Sequence, residues 1–590
     1  MARAVLYGLS VSTGVAIGRG FVLGKPPARV RHELVSLERV EPEIARLQAA
    51  IDKVAADFST ARSRVPDDLH IHAELLESHL LICKDPKLAK ESLGRIRDQR
   101  MNAEWALEEG VASIAESFSR ISSPYIRDRI EDVRLVAARI LQALGGNSSP
   151  PVSGDEQGIL LAHDLTPADV IGLSMDKVFS FVIEKGGKTS HTGILARSLR
   201  IPAVVGVAGL CDDMRAGEML IVDALRGKVL LGPDNAELAE YHALDREYEE
   251  YLRKIRLHAA YPAESEDGQR VRVFANIESS GEAEDVLESG GEGVGLVRTE
   301  YGYITRATLP GEDELSLEYS NLAAAMAPRK VTFRTLDVGA DKILIGRKVM
   351  DEPNPALGLR AIRYCMRHQD IFRTQLRAIL RASVYGNVAL MFPLISGLAE
   401  LRLAKSILYE AMQELEGARV PYDPSMPVGI MVELPSAVMM ADVLAREVDF
   451  FSIGTNDLIQ YSLGVDRGNS HVAHMHQPLH PSIIRAIKQV VDMAHKAGIS
   501  VSVCGEMAAD PFCLPILLGM PVDELSLAPQ SIPAVKHFIR RSSAQECREI
   551  LTYALAASTM RSISNMMRQA VFSRFPEDVS FFVSELHTDL

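Results

Sequence analysis

The chain has 590 residues, 47% of them hydrophobic and 24% charged, with a formal net charge of −14. That length exceeds what a single hydrophobic core organises and predicts roughly two to four domains, and the acidic balance without any basic run excludes a nucleic-acid binder. Six scattered cysteines with no C-x-x-C spacing exclude a disulfide framework and a zinc finger, no signal-peptide core or membrane-length apolar run is present, and a cytoplasmic protein is expected.

The opening stretch AVLYGLSVSTGVAIGRGFVL alternates and carries several glycines, which predicts a strand, a turn and a strand. From about His32 to Leu144 the period becomes helical: Ile44, Leu47, Ile51, Val54, Ala55 and Phe58 share one face. NAEWALEEGVASIAESF predicts a further helix, capped by Asn102, with Trp105, Val111, Ile114 and Phe118 in its core. Pro86 and Pro124 separate helices, and GGNSSPPVSGDEQG, from Gly145 to Gly158, is a linker by composition. Short β segments follow on both sides of GGKTSHTGILARSLRIPAVVG, which runs from Gly186 to Gly206. The first strands lack partners of their own and are expected to join this later sheet, which makes the helical bundle an insertion. PDNAELAEYHALDREYEEYLRKIRLH then predicts a long linker helix.

Eight strand-like runs alternate with helical patterns in the rest of the chain. They begin at Val271, Gly293, Val331, Val388, Val428, Asp449, Val501 and Glu524, a spacing that predicts a (β/α)8 barrel. Most end in polar residues: Asn276, Arg298 and Glu300, Arg334 and Asp337, Glu433, Asn456 and Asp457, Cys504 and Glu506. Barrel chemistry sits at the C-terminal ends of the strands. Arg298 and Arg334, with Arg360 and Arg467, offer planar forks for phosphate or carboxylate oxygens. Glu433 and Asp457 are hard oxygen ligands suited to Mg2+. Cys504 above such a site could give a proton to a developing carbanion. His191 lies between Ser190 and Thr192, after Gly186 and Gly187 and at the predicted start of a helix, where backbone N–H groups would hold a phosphate carried on its ring. His70, His72, Glu74 and His79 fit a solvated helix face better than a metal site, and His474 and His476 fit a loop near the barrel mouth.

These stretches resemble Enzyme I, the phosphoenolpyruvate–protein phosphotransferase family of the bacterial sugar phosphotransferase system. The His191 segment is similar to its phosphohistidine motif. GVGLVRTE, FRTLDVGADK, NPALGLRAIR, MFPLI, GIMVELP, FFSIGTNDLIQYSLGVDRGN, QPLHPSII and CGEMAAD resemble its barrel motifs in the same order. The resemblance implies a swivelling α/β phosphohistidine domain at 1–31 and 145–232, an inserted helical domain at 32–144 that binds the carrier protein HPr, and a linker helix at 233–260. It further implies a phosphoenolpyruvate-binding barrel and homodimerisation domain at 261–575, while the tail at 576–590 extends past the family's motifs. By the same resemblance His191 accepts the phosphoryl group. Arg298, Arg334 and Arg467 grip the phosphate, with Arg360, Asn456 and Asp457 assisting. Glu433 and Asp457 bind Mg2+, and Cys504 protonates the enolate to give pyruvate. The phosphoryl group then passes to a histidine of HPr. The alternatives are a nitrogen-type phosphotransferase paralogue and a non-catalytic phosphoenolpyruvate sensor; a sensor would not need both His191 and Cys504.

Overall fold

The computed structural model describes residues 4–23, 31–62, 79–119, 124–145, 157–163, 178–185, 201–210, 214, 217–304, 308–338, 354–467, 469 and 471–582. The chain divides into two compact units, Met1–Glu249 and Glu250–Leu590, which are taken separately.

In the first unit the alternating runs form β1 (Ala4–Tyr7), β2 (Leu9–Ser12) and β3 (Val15–Leu23). The later segments form β4 (Gly158–Ala162), β5 (Val178–Ile183), β6 (Ala203–Val205), β7 (Met219–Asp223) and β8 (Lys228–Leu231). All eight make one sheet in the order β1-β8-β7-β3-β4-β5-β6-β2. Thus the first three strands do pair with the later ones. β3 runs parallel to β4 and antiparallel to β7. β4 is buried along its whole length, the signature of a strand covered on both faces.

Among the described residues four helices lie between β3 and β4 in sequence: Val40–Arg62, Pro86–Gln99, Ala103–Ser119 and Pro124–Leu144. Leu47, Ile51, Val54, Phe58, Ile96, Leu107, Ile114 and Ile140 make their shared core, against which Ile44 and Ala55 pack. One expectation is corrected here. Trp105 is only half-buried and stacks on His32, ring centroids 4.9 Å apart; Ala106 and Leu107 take the core positions instead. Asn102 stands at the expected cap position, its carbonyl accepting from Ala106 N–H at 3.0 Å, while its side chain accepts from Glu33 N–H and donates to the carbonyl of Arg31 in the incoming segment. The first helical N–H, that of Ala103, is satisfied by Glu43 at 2.9 Å.

In the second unit all eight expected runs are strands: β9 (Arg272–Ile277), β10 (Val294–Arg298), β11 (Val331–Arg334), β12 (Val388–Phe392), β13 (Val428–Val432), β14 (Phe450–Gly454), β15 (Ser500–Cys504) and β16 (Glu524–Leu527). Every neighbouring pair is parallel, and β16 returns to β9 to close the barrel. Leu296, Ala389, Met391, Met431, Phe450 and Cys504 fill its interior. At the opposite end from the strand C-termini, the nearly buried Glu524 is held by Arg272 at 2.8 Å and Lys330 at 3.1 Å. Lys330 also lies over the rings of Phe274 and Phe450.

The helix Asn235–Ala259 carries the chain from one unit into the next. In the second unit its Tyr251 stacks on Phe581, and its final carbonyl, Ala259, accepts from Lys536 at 3.0 Å. The chain beyond the last long helix is used in packing. Phe538, Phe575 and Phe582 form an aromatic cluster, and Asp578 is 1% exposed. Among the described residues no helix is long and apolar enough to cross a membrane.

Candidate active site

Parallel pairing fixes which side chains meet at the barrel mouth. Arg298 and Arg334 are register partners at the ends of β10 and β11. Gly454 and Cys504 are register partners at the ends of β14 and β15. The polar residues that end the apolar runs therefore converge because their strands end together.

Arg334 is the most enclosed of the arginines, at 7% exposure. Its Nη2 donates to Glu300 Oε1 at 2.5 Å and its Nη1 lies 2.8 Å from Asp337 Oδ2. Arg360 Nη2 reaches Asp337 Oδ1 at 2.8 Å and Asp457 Oδ2 at 3.2 Å. Its Nη1 donates to the Tyr461 hydroxyl at 3.2 Å, and that hydroxyl donates to the carbonyl of Ala356. Burial alone would lower both guanidinium pKa values. The facing carboxylates reverse this and raise both above their ordinary value. Asp337 shows the converse: burial opposes its charge, but Arg334 and Arg360 hold it below the usual carboxylate range. The Nε of Arg334 is buried and has no hydrogen-bond partner. An enclosed donor of this kind costs free energy unless an acceptor arrives.

Arg298 is more open and lies 3.5 Å from Glu278. Arg467, also open, is 4.0 Å from Glu506. Asn456 bridges to the same loop: its Oδ1 accepts from Glu506 N–H at 3.1 Å and its Nδ2 donates to Glu506 Oε1 at 3.3 Å. His476 contacts the Asn456 carbonyl oxygen at 3.1 Å, which puts it in a loop at the mouth.

Glu433, 2% exposed, accepts from the backbone N–H of Leu394 at 2.7 Å. Leu394 has a φ of 55°, unusual for a branched residue, and that backbone turns its N–H toward the carboxylate. Burial, then Asp457 and Asp337, push the Glu433 pKa well above the carboxylate range. A buried carboxylate whose proton affinity is raised by a neighbouring carboxylate suits a divalent cation, which removes the repulsion. Among the described residues no group of three or more His, Cys, Asp or Glu side chains could hold a metal. A cation here would therefore complete its shell with substrate oxygens and water, the habit of Mg2+.

Cys504 is 2% exposed. Its Sγ accepts from the Ser452 hydroxyl at 3.2 Å and lies 3.4 Å from the carbonyl of Ile453. Burial pushes the thiol up to about 11, against the Ser452 hydrogen bond. It is a protonated thiol at neutral pH, able to give a proton rather than to attack.

The structure thus brings together Arg298, Arg334, Arg360, Glu433, Asn456, Asp457, Arg467 and Cys504 at one end of the barrel. His191, with Gly186, Gly187, Ser190 and Thr192, lies outside the described residues, as do His70, His72 and Glu74, whereas His79 is buried against the Phe58 ring rather than on a solvated face. Sequence reasoning missed Tyr461 and gave Asp337 no role beyond ending a strand. Asp337 binds both Arg334 and Arg360.

Three family descriptions match the chain: "PEP-utilising enzyme, N-terminal" over residues 7–129, "PEP-utilising enzyme, mobile domain" over 154–227 and "PEP-utilising enzyme, PEP-binding domain" over 253–544. The phosphoenolpyruvate-protein phosphotransferase of Priestia megaterium is 41% identical over 95% of this chain and 98% of its own. Those of Geobacillus stearothermophilus and a Bacillus species are each 39% identical, over 96% of this chain and 98% of theirs. Likeness of that extent, running through all three matched segments, means that this chain belongs to the phosphoenolpyruvate-protein phosphotransferase family of PEP-utilising enzymes.

Proposed function

We propose that this chain takes the phosphoryl group of phosphoenolpyruvate onto His191, releases pyruvate, and passes the group to a histidine of the carrier protein HPr, the first step of a sugar phosphotransferase system. The observation that carries the reading is the meeting, at one barrel mouth, of a buried arginine with an unpartnered Nε, a carboxylate pair and a protonated thiol.

Arg298 and Arg334 grip the phosphate, and Arg467, Arg360 and Asn456 fix the rest of the anion. Phosphoryl transfer needs positioning and charge neutralisation more than covalent chemistry from the protein. A His191 ring nitrogen forms the new N–P bond as the P–O bond to the enol oxygen breaks. The electron pair left on the enolate takes the Cys504 thiol proton at its terminal carbon, and pyruvate leaves. Glu433 and Asp457 would hold Mg2+, which when bound would neutralise the carboxylate and phosphate oxygens of the substrate. The helical segment between β3 and β4 is the docking place for HPr, the barrel is the homodimer contact, and the site of action is the cytoplasm. The family description "mobile domain" over residues 154–227 fits a histidine that is loaded at one place and unloaded at another.

The test is incubation of the protein with phosphate-labelled phosphoenolpyruvate and Mg2+, then mass spectrometry of the peptide containing His191. An acid-labile phosphate on His191, lost in His191→Ala together with carrier phosphorylation, is expected. Carrier phosphorylation that survives in His191→Ala overturns the assignment.

A further inference from the structure

Behind the two strand-end arginines runs a set of hydrogen bonds that the chemistry above does not use. Gln375, fully buried on the helix Gln369–Ala382, accepts through Oε1 from the backbone N–H of Leu336 at 2.9 Å. Its Nε2 donates to Thr299 Oγ1 at 2.8 Å and lies 3.5 Å from the Tyr319 hydroxyl. Thr299 Oγ1 donates in turn to the backbone carbonyl of Arg334 at 2.8 Å. The direction of every bond is forced. An N–H can only donate, so the amide oxygen of Gln375 faces Leu336 and its NH2 faces the hydroxyls; Thr299 then has its own proton free for the carbonyl.

The placement of these groups matters. Thr299 directly follows Arg298, and Leu336 stands between Arg334 and Asp337. One amide from a helix outside the barrel therefore ties the turn after β10 to the turn after β11, at the level where the two guanidinium groups leave their strands. We propose that Gln375 is a positioning residue for phosphoenolpyruvate: through Thr299 and Leu336 it sets the spacing of Arg298 and Arg334. The inference rests on the reading that these arginines bind the phosphate. Anion sites built from planar forks tolerate little slack, and misplacement by about an ångström can cost as much as 10²-fold.

The test uses the full-length protein with Mg2+, four single variants and one double variant. Gln375→Met keeps the shape but removes both ends of the tie. Thr299→Val removes the relay hydroxyl, and Thr299→Ser keeps it. Arg334→Lys reports on the phosphate reading itself. Gln375→Met and Thr299→Val are each expected to raise KM for phosphoenolpyruvate about tenfold, while phosphoryl exchange with phosphorylated carrier is unchanged. Thr299→Ser should restore the KM of the unaltered protein. The double variant Gln375→Met with Thr299→Val should be little worse than either alone, because both break one relay. Equal KM values in Thr299→Ser and Thr299→Val overturn the inference, as does an unaltered KM in Gln375→Met. If Gln375→Met does not fold, the Thr299 pair decides alone. If Arg334→Lys leaves KM unchanged, the phosphate reading falls and this inference with it. If Arg334→Lys raises KM and Thr299→Val does not, only the positioning role falls.

Discussion

Glu433 depends on an absent atom in its neighbour. A Cβ at Gly454 would stand 2.9 Å from Glu433 Oε2 and 3.0 Å from the Sδ of Met431. The carboxylate cannot retreat freely, because Leu394 N–H holds its other oxygen at 2.7 Å. Gly454→Ala is therefore expected to raise the Mg2+ concentration for half-maximal turnover by about tenfold, as displaced ligand supports do. Titrating Mg2+ against activity checks this, and an unshifted curve contradicts the ligand role of Glu433. At this scale the sequence is most legible where polarity interrupts an apolar run. Arg298, Arg334 and Cys504 end their strands and Glu433 directly follows its own, so their meeting at one end follows from the parallel pairing. Tyr461 gives no such signal. It sits within the helix Thr455–Leu463, where an aromatic reads as an ordinary packing residue, and its bond to Arg360 depends on a loop far away in sequence.

The end of the helix Asn235–Ala259 is held by residues far away in sequence. There His258 Nδ1 lies 2.8 Å from His537 Nδ1, with the rings stacked, and His537 Nε2 lies 3.0 Å from Asp578 Oδ2, which Arg541 also engages. A bond between two imidazole nitrogens needs one ring to accept, so both rings cannot be charged. Burial, then His537, Arg540 and Arg541, lower the His258 pKa. For Asp578 burial works upward, but His537 and Arg541 hold its pKa below the usual value. The signs follow from linkage. The stability His258 contributes is complete above its unfolded pKa of about 6.5 and declines as pH falls from there toward its lowered folded value. The Asp578 contribution persists until pH falls through its own depressed value. The urea midpoint of the barrel should therefore drop between about pH 7.5 and 5.5, and His258→Gln should flatten that dependence. An unchanged slope in His258→Gln would assign the effect elsewhere. The contact joins residues 279 apart in sequence, and neither histidine lies in a pattern that announces the other. The same is true of the tail, whose phenylalanines read as a terminal extension and instead close a cluster with Phe538.

For the whole molecule, the two half-reactions should be separable. With His191 as the proposed acceptor, its loading from phosphoenolpyruvate should need the barrel mouth, whereas its exchange with phosphorylated carrier should not. Cys504→Ala in the full chain is expected to lower turnover of phosphoenolpyruvate by about 10²-fold, the scale of a lost general acid, and to leave exchange with phosphorylated carrier within about twofold. Equal loss in both assays would show that Cys504 acts on the fold rather than on the enolate. The barrel was readable because most of its strands repeat one grammar, an apolar run closed by a polar residue. The first unit was less so: its strands are short, and the order β1-β8-β7-β3-β4-β5-β6-β2 follows from pairings between segments separated by the whole helical insertion.

The floor of the barrel carries a consequence for the rhythm of the reaction. Glu524, with Arg272 and Lys330 around it, plugs the far end, and Leu296, Met391, Met431 and Phe450 occupy the well between that plug and Cys504. If Cys504 gives its proton to the enolate as proposed, the packed interior on its inner side leaves the mouth as the side from which solvent returns one, so the thiol is expected to reset after pyruvate has gone.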